Sequence, residues 1–170
     1  MHVVKEKVFS LSGDDFTVRT ADGIDVCKVK GKAISMRDKK KFTDMTGTEL
    51  FTLSNKMMAI SKSFHGESPN GTANFEVKGK FKLIGSKSVI TFKNAADGKD
   101  VELELNGDWL DKSANITLNG KPVAAISRKF FNASQFFGDK QTYFMTVAPN
   151  VDLSLMAAIC VALDERENEK

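Results

Sequence analysis

At 170 residues the chain is long enough for one domain with a sizeable core and too short for two ordinary domains. A composition of 41% hydrophobic and 28% charged residues excludes a disordered or fibrous chain. The 25 Lys and Arg residues nearly balance the 22 Asp and Glu residues, so the net charge of +3 excludes a partner chosen by bulk charge alone. Any basic binding site must therefore be local.

Alternating apolar and polar residues extend almost to residue 148 and predict strands with one apolar face. In chain order, the alternating apolar positions include Phe16, Val18, Phe75, Val77, Phe81, Leu83, Ile90, Phe92, Val101, Leu103, Leu105, Tyr143, Met145 and Val147. Glycine dipeptides typical of tight turns separate the runs at Asp22-Gly23, Asn70-Gly71, Asp97-Gly98, Asn106-Gly107 and Asn119-Gly120. The pattern predicts an antiparallel meander.

One segment, from Val151 to Leu163, breaks the strand pattern because it is apolar on every side of a helix. Asn150 or Asp152 can cap a helix that begins there. A helix of this length spans roughly 20 Å, well short of the ~30 Å hydrocarbon core of a bilayer. The sequence therefore predicts a buried helix and no transmembrane span.

The strands and the helix together predict the fold class. A sheet of strands that are each apolar on one face can cover itself by closing, and a wide barrel needs a filling inside. We expect a mainly β protein, a closed antiparallel barrel of about twelve strands around the buried hydrophobic C-terminal helix.

The two cysteines, Cys27 and Cys160, are too far apart in the chain and too few for a disulfide framework or a zinc site. Free buried thiols in a reducing compartment are the expected state. Charged residues from Met1 to Lys7 occupy the place where a signal peptide needs an apolar run. The sequence therefore predicts a cytoplasmic protein.

Positive charge is concentrated between residues 26 and 62, where nine basic and three acidic residues give a local balance of +6. The predicted headgroup-binding site consists of Lys28, Lys30, Lys32, Arg37, Lys39, Lys40 and Lys41. Its first three members share one strand face, and the others are expected in a nearby turn. Anionic lipid contributes about 1 kcal/mol for each basic residue held at a membrane surface. The alternative is a solvated face that maintains solubility, and nucleic acid is not favoured.

Two further features have a structural and a functional interpretation. His65 and Glu67 share a predicted polar loop and could exchange a proton, but no nucleophile or orienting partner accompanies them, so a solvated histidine is expected. A group of four rings, Phe130, Phe131, Phe136 and Phe137, forms either an exposed patch or a cover over the core. We expect no catalytic residue, metal site or cofactor, and therefore no enzyme.

The segments from Tyr143 to Leu153 and from Ala158 to Glu165 resemble the LURP-one-related family, which belongs to the tubby C-terminal-like superfamily. The resemblance extends through the Asp22-Gly23 hairpin and through the runs Cys27 to Lys32, Leu50 to Leu53 and Val123 to Lys129. It implies a single domain over residues 1–170, with a twelve-stranded barrel around a hydrophobic helix.

For function, the resemblance implies several different activities. Tubby domains bind phosphoinositide headgroups, plant LURP-one-related proteins are linked to defence, and the distantly similar phospholipid scramblases are associated with lipid movement. We expect a non-enzymatic module, peripheral at membranes, that binds anionic phospholipid headgroups or a protein partner in signalling or stress response. The alternative is a scramblase-like lipid-handling protein or a scaffold of unknown ligand.

Overall fold

The computed structural model describes residues 7–10, 15–20, 22–31, 39–58, 61–80, 86–94, 96–108, 113–127 and 142–168. Within these ranges twelve strands precede one helix. The strands are β1 (Lys7–Ser10), β2 (Asp15–Thr20), β3 (Asp25–Gly31), β4 (Lys39–Thr43), β5 (Glu49–Met58), β6 (Ser61–Glu67), β7 (Phe75–Lys80), β8 (Ser86–Lys93), β9 (Asp100–Asp108), β10 (Ser113–Leu118), β11 (Lys121–Ser127) and β12 (Thr142–Val147), and the helix is α1 (Leu153–Asn168).

Neighbouring strands pair antiparallel throughout the described sheet. From β2 to β12 each strand pairs with its neighbours in the chain. The short strand β1 pairs with β2 on one side and with β12 on the other, placing Phe9 opposite both Val18 and Tyr143. The strand order therefore closes on itself.

Alternation in the sequence determines which side chains face the core. In β3, Cys27 and Val29 are buried while Lys28 and Lys30 between them are exposed. Successive residues of a strand point to opposite faces of the sheet, so burying the apolar set exposes the lysines. The same pattern recurs in the other strands where burial is described, so the inner face is apolar and the outer face mostly polar there.

Five described turns join strands at one end of the sheet, which we call the turn end. They connect β2 to β3, β4 to β5, β6 to β7, β8 to β9 and β10 to β11. Asn119 and Gly120 in the last turn have φ values of 51° and 76°, the positive values that a two-residue hairpin turn requires. Strand β12 also finishes at the turn end, because Lys7 lies opposite both Met145 and Thr20, the last residue of β2. Helix α1 therefore starts there.

The prediction of a turn at Asn106-Gly107 is wrong, because both residues lie within β9. Gly107 is instead needed for close approach of the neighbouring strand. A Cβ atom on Gly107 would lie 2.6 Å from the backbone oxygen of Ser113 and 2.8 Å from the Cβ of Ala114. In this case the glycine allows two strands to pack closely.

Helix α1 is buried on all sides along its middle turns. The consecutive residues from Met156 to Leu163 are each at most 2% exposed. The helix contacts β3, β6 and β12, which lie far apart in the strand order. Since the sheet surrounds these turns, α1 supplies the centre of the core.

The start of the helix has the capping group that the sequence predicted. A carboxylate oxygen of Asp152 accepts hydrogen bonds from the backbone N–H groups of Ser154 at 2.7 Å and Leu155 at 3.0 Å. These are two of the donors that a helix start leaves without partners. Asn150, the other candidate cap, has a φ of 63° and lies in the preceding turn.

The prediction of a mainly β, antiparallel fold with a single C-terminal helix is confirmed for the described residues. The helix continues to Asn168, beyond the predicted end at Leu163. The apolar segment therefore marked only the first part of the helix, which continues through a charged segment.

Replacing Ala158 with Asp tests the central position of the helix. Ala158 is fully buried, so an unpaired carboxylate there should lower the free energy of unfolding by about 3–5 kcal/mol. Ala125 on β11 is exposed, and Ala125→Asp is the matched control. Urea unfolding followed by circular dichroism measures both variants, and equal stability of the two would contradict the central position.

Candidate anion-binding surface

Four lysines form a basic surface on the outer face of β3 and β4, which we call the basic ribbon. Its members are Lys28, Lys30, Lys39 and Lys41. Alternate residues of one strand lie about 7 Å apart, and facing residues of neighbouring strands about 5 Å apart. The ribbon therefore presents four ammonium groups along a strip about 14 Å long.

Lys30 and Lys41 lie directly opposite each other in the β3–β4 register. Like charges in this position repel, so the pair destabilises the sheet unless an anion lies nearby. Lys41 has such an anion, because its Nζ lies 2.5 Å from a carboxylate oxygen of Glu49. Hydrogen bonds from Lys41 and from the hydroxyl of Thr52 lower the pKa of Glu49, which keeps this carboxylate ionised.

The other three lysines of the ribbon are not neutralised in this way. Among the described residues, Lys28, Lys30 and Lys39 form no ion pair. All three are exposed. They are therefore the positive charges on this face that an external anion can reach.

Lys40 corrects the predicted site. Residues 39–41 lie in strand β4 rather than in a turn, and Lys40 shares the inner face with the buried Phe42. Its Nζ lies 3.0 Å from a carboxylate oxygen of Glu165 on α1, and the side chains are only 15% and 17% exposed. Lys40 thus ties the last turns of the helix to the sheet and does not belong to the outer surface. Lys32 and Arg37 lie outside the described residues.

Single substitutions along β4 should separate these two roles. Lys40→Gln removes the ion pair with the shielded Glu165 carboxylate, so we expect a loss of about 1–3 kcal/mol of unfolding free energy. Lys39→Gln changes an exposed side chain and should leave stability within about 0.5 kcal/mol. Chemical denaturation measures the free energy of unfolding of both variants. If Lys40→Gln leaves it unchanged, the ion pair does not stabilise the position of the helix.

A second charged group lies on the outer face of β6 and β7, where the sequence predicted a loop histidine. His65 lies within β6, and its Nε2 is 3.3 Å from a carboxylate oxygen of Glu76. Lys78 approaches the other oxygen of Glu76 at 2.7 Å. Ser54 lies opposite His65 on β5, and its hydroxyl donates to the backbone oxygen of His65 at 3.4 Å rather than to the imidazole.

The remaining features of the described surface offer little chemistry. A shallow depression of about 400 Å³ at the turn end is lined by Thr91, Phe92, Lys93, Asp100, Val101 and Glu102. The described residues contain no group of three His, Cys, Asp or Glu side chains arranged to hold a metal ion. The four phenylalanines between residues 130 and 137 lie outside the described residues.

The prediction of free buried thiols is confirmed, since Cys27 and Cys160 are both buried and unbonded to each other. Burial raises the pKa of the Cys27 thiol to about 12, and the carboxylate of Asp152 adds to the shift. A protonated, enclosed thiol is a poor nucleophile. Cys27 is therefore a core residue.

Thiol reactivity checks this assignment. At neutral pH almost no thiol of the native protein should react with a thiol reagent, and two thiols should react once the protein is unfolded in denaturant.

The pH dependence of stability tests the raised pKa. Because the pKa of Cys27 in the folded protein lies above the ordinary value of 9.0, the free energy of unfolding should fall as the pH rises from 9.0 toward 12. Cys27→Ala should reduce this alkaline loss, and an unchanged pH profile would contradict the raised pKa.

None of the described helices is both long enough and apolar enough to cross a bilayer. A family model described as LURP-one-related matches residues 2–164. Protein LURP-one-related 15 of Arabidopsis thaliana is 27% identical, over 98% of this chain and 79% of its own length. Protein LURP1 of the same plant is also 27% identical, over 96% of this chain and 82% of its own length.

The similarity also extends to bacteria and to a solved structure. The uncharacterized protein YxjI of Bacillus subtilis strain 168 is 26% identical, over 95% of this chain and 90% of its own length. An X-ray structure of a protein from Arabidopsis thaliana matches with a TM-score of 0.60 and 19% identity, over 96% of this chain and 91% of that chain. This structural match shows a shared fold.

Proposed function

The chain belongs to the LURP-one-related family, and on that premise we propose that it is a non-enzymatic module that binds anionic phospholipid headgroups through the basic ribbon. Phosphoinositides are the preferred ligand class because each carries several negative charges on one headgroup. The single observation that supports this proposal most directly is the set of three exposed lysines, Lys28, Lys30 and Lys39, which form no ion pair among the described residues.

The distribution of charge around the sheet supports a one-sided contact. The outer faces of β7 and β9 carry the acidic residues Glu76, Glu102 and Glu104. On β10, β11 and β12, three neighbouring outer residues are uncharged: Asn115, Ala125 and Thr146. An anionic surface would attract the β3–β4 side more than the β7–β9 side, where Lys78 and Lys93 offset the carboxylates, so it would orient the protein.

Rigidity also supports a binding role. The lysines extend from paired strands, so their backbones are already ordered before a ligand arrives. Only the side chains lose freedom on binding, which lowers the cost of association. We propose that the protein is cytoplasmic and peripheral at membranes, because the anionic headgroups of the cytoplasmic leaflet face the cytoplasm.

Vesicle sedimentation at low salt tests the proposal, using phosphatidylcholine vesicles with and without a phosphatidylinositol bisphosphate. The parent protein should sediment only with the charged vesicles, and binding should weaken steeply as salt rises. Replacing Lys28, Lys30 and Lys39 together with Gln removes about 3 kcal/mol of attraction, so affinity should fall by roughly two orders of magnitude.

The matched control replaces three exposed lysines outside the ribbon, Lys93, Lys99 and Lys121, with Gln. Both triple variants have the same net charge, so a difference between them reflects position alone. An equal loss of vesicle affinity in the two variants would show that binding depends on net charge and not on a site at the ribbon. Failure of the parent to bind charged vesicles would remove the lipid proposal and leave a protein partner, or a scramblase-like or scaffold role, to be tested.

A further inference from the structure

The described surface exposes two large hydrophobic side chains. Ile24 is 61% exposed and Met45 is 39% exposed, whereas the other large apolar side chains of described burial are covered to a greater extent. Ile24 lies in the turn from β2 to β3, and Met45 lies in the turn from β4 to β5. Both are therefore at the turn end of the sheet, next to the two strands that carry the basic ribbon.

The register of β3 and β4 shows how close these positions are. Lys28 lies opposite Thr43. Strand β4 ends at this pair, and each of the two turns begins at the end of one strand of the pair. Neighbouring strands lie about 5 Å apart, so the two turns are close neighbours at the same end of the sheet. The two exposed apolar side chains thus flank one corner of the sheet.

This corner also lies next to the ribbon along the chain. Ile24 is four residues before Lys28, and Met45 is four residues after Lys41. The strand pair therefore carries basic residues on its outer face and one exposed apolar residue in the turn at the end of each strand.

We propose that Ile24 and Met45 form a wedge that inserts between the headgroups of a lipid bilayer while the basic ribbon lies against the charged surface. This inference rests on the proposed function and adds the orientation of the protein on the membrane. Apolar side chains beside basic ones are typical of segments that bind the membrane interface, because each group reaches the layer of the bilayer that suits it.

The two turns present these side chains in fixed positions. The backbone N–H of Ile24 donates to the hydroxyl of Thr20 at 3.0 Å. A carboxylate oxygen of Asp44 accepts hydrogen bonds from the backbone N–H groups of Thr46 and Thr48, each at 2.9 Å. Both turns are therefore closed by side-chain hydrogen bonds, and little further ordering is needed for insertion.

The acidic residues beside the wedge are already engaged within the protein. Asp25 accepts a hydrogen bond from the guanidinium of Arg19, which lowers the pKa of Asp25. The hydroxyl of Thr46 and the turn backbone hold the pKa of Asp44 below its ordinary value. Since Glu49 is paired to Lys41 and Asp25 to Arg19, the nearest charge on β3 with no ion pair among the described residues is Lys28.

Fluorescent labels at single introduced cysteines test the wedge, since the native cysteines Cys27 and Cys160 are buried. Ile24→Cys and Met45→Cys are each labelled with an environment-sensitive dye and mixed with the vesicles that contain a phosphatidylinositol bisphosphate. Emission should shift to shorter wavelength on binding as the label leaves water. A label at Ala125→Cys on the opposite side is the control and should not shift.

Substitution measures how much the wedge contributes. Ile24→Ser with Met45→Ser should weaken vesicle binding by about tenfold to a hundredfold, because roughly one apolar side chain is worth a tenfold change in affinity. The loss should persist at high salt, where the lysines contribute little. Ala125→Ser is the matched control.

The outcomes separate the wedge from the proposed function. If the parent binds charged vesicles while labels at both turn positions stay in water, the wedge is overturned and headgroup binding stands. If the labels shift and the serine pair weakens binding, both are supported. If the parent does not bind these vesicles, both are overturned.

Discussion

The burial of a helix that has no polar side is the constraint on which the rest of the structure depends. From Met156 to Leu163 the helix can be stable only where protein surrounds it, and the inner face of the sheet provides that surrounding. The sheet in turn needs the helix, because its inward apolar side chains would otherwise enclose a space too large for them to fill. Neither part has a stable form without the other.

Because the inner face is committed to packing, the outer face is free to vary in charge. Neighbouring strands place side chains in rows across the sheet, such as the row through Lys30 and Lys41 and the row through His65 and Glu76. Each row collects residues that are distant in the sequence. A charge pattern around the outside can therefore change by substitution while the core stays the same.

The sequence predicted most of the fold, since alternation and the apolar segment are both local signals. It did not predict which side of β4 each lysine occupies, because three consecutive lysines carry no alternation and the burial of Lys40 depends on Glu165 far along the chain. The sequence also predicts a loop at His65, which lies in β6, because its partner Glu76 comes from the next strand. Local sequence patterns therefore identified the strands and the helix, while the pairing of distant strands determined which side chains are in contact.

The position of the helix after the last strand has a consequence for synthesis on the ribosome. A nascent chain that ends before β12 lacks both the strand that pairs with β1 and the helix that fills the core. Its apolar inner face is then open to water, and its first and last strands have free edges. Folding of the sheet around its core is therefore completed only after α1 has left the ribosome.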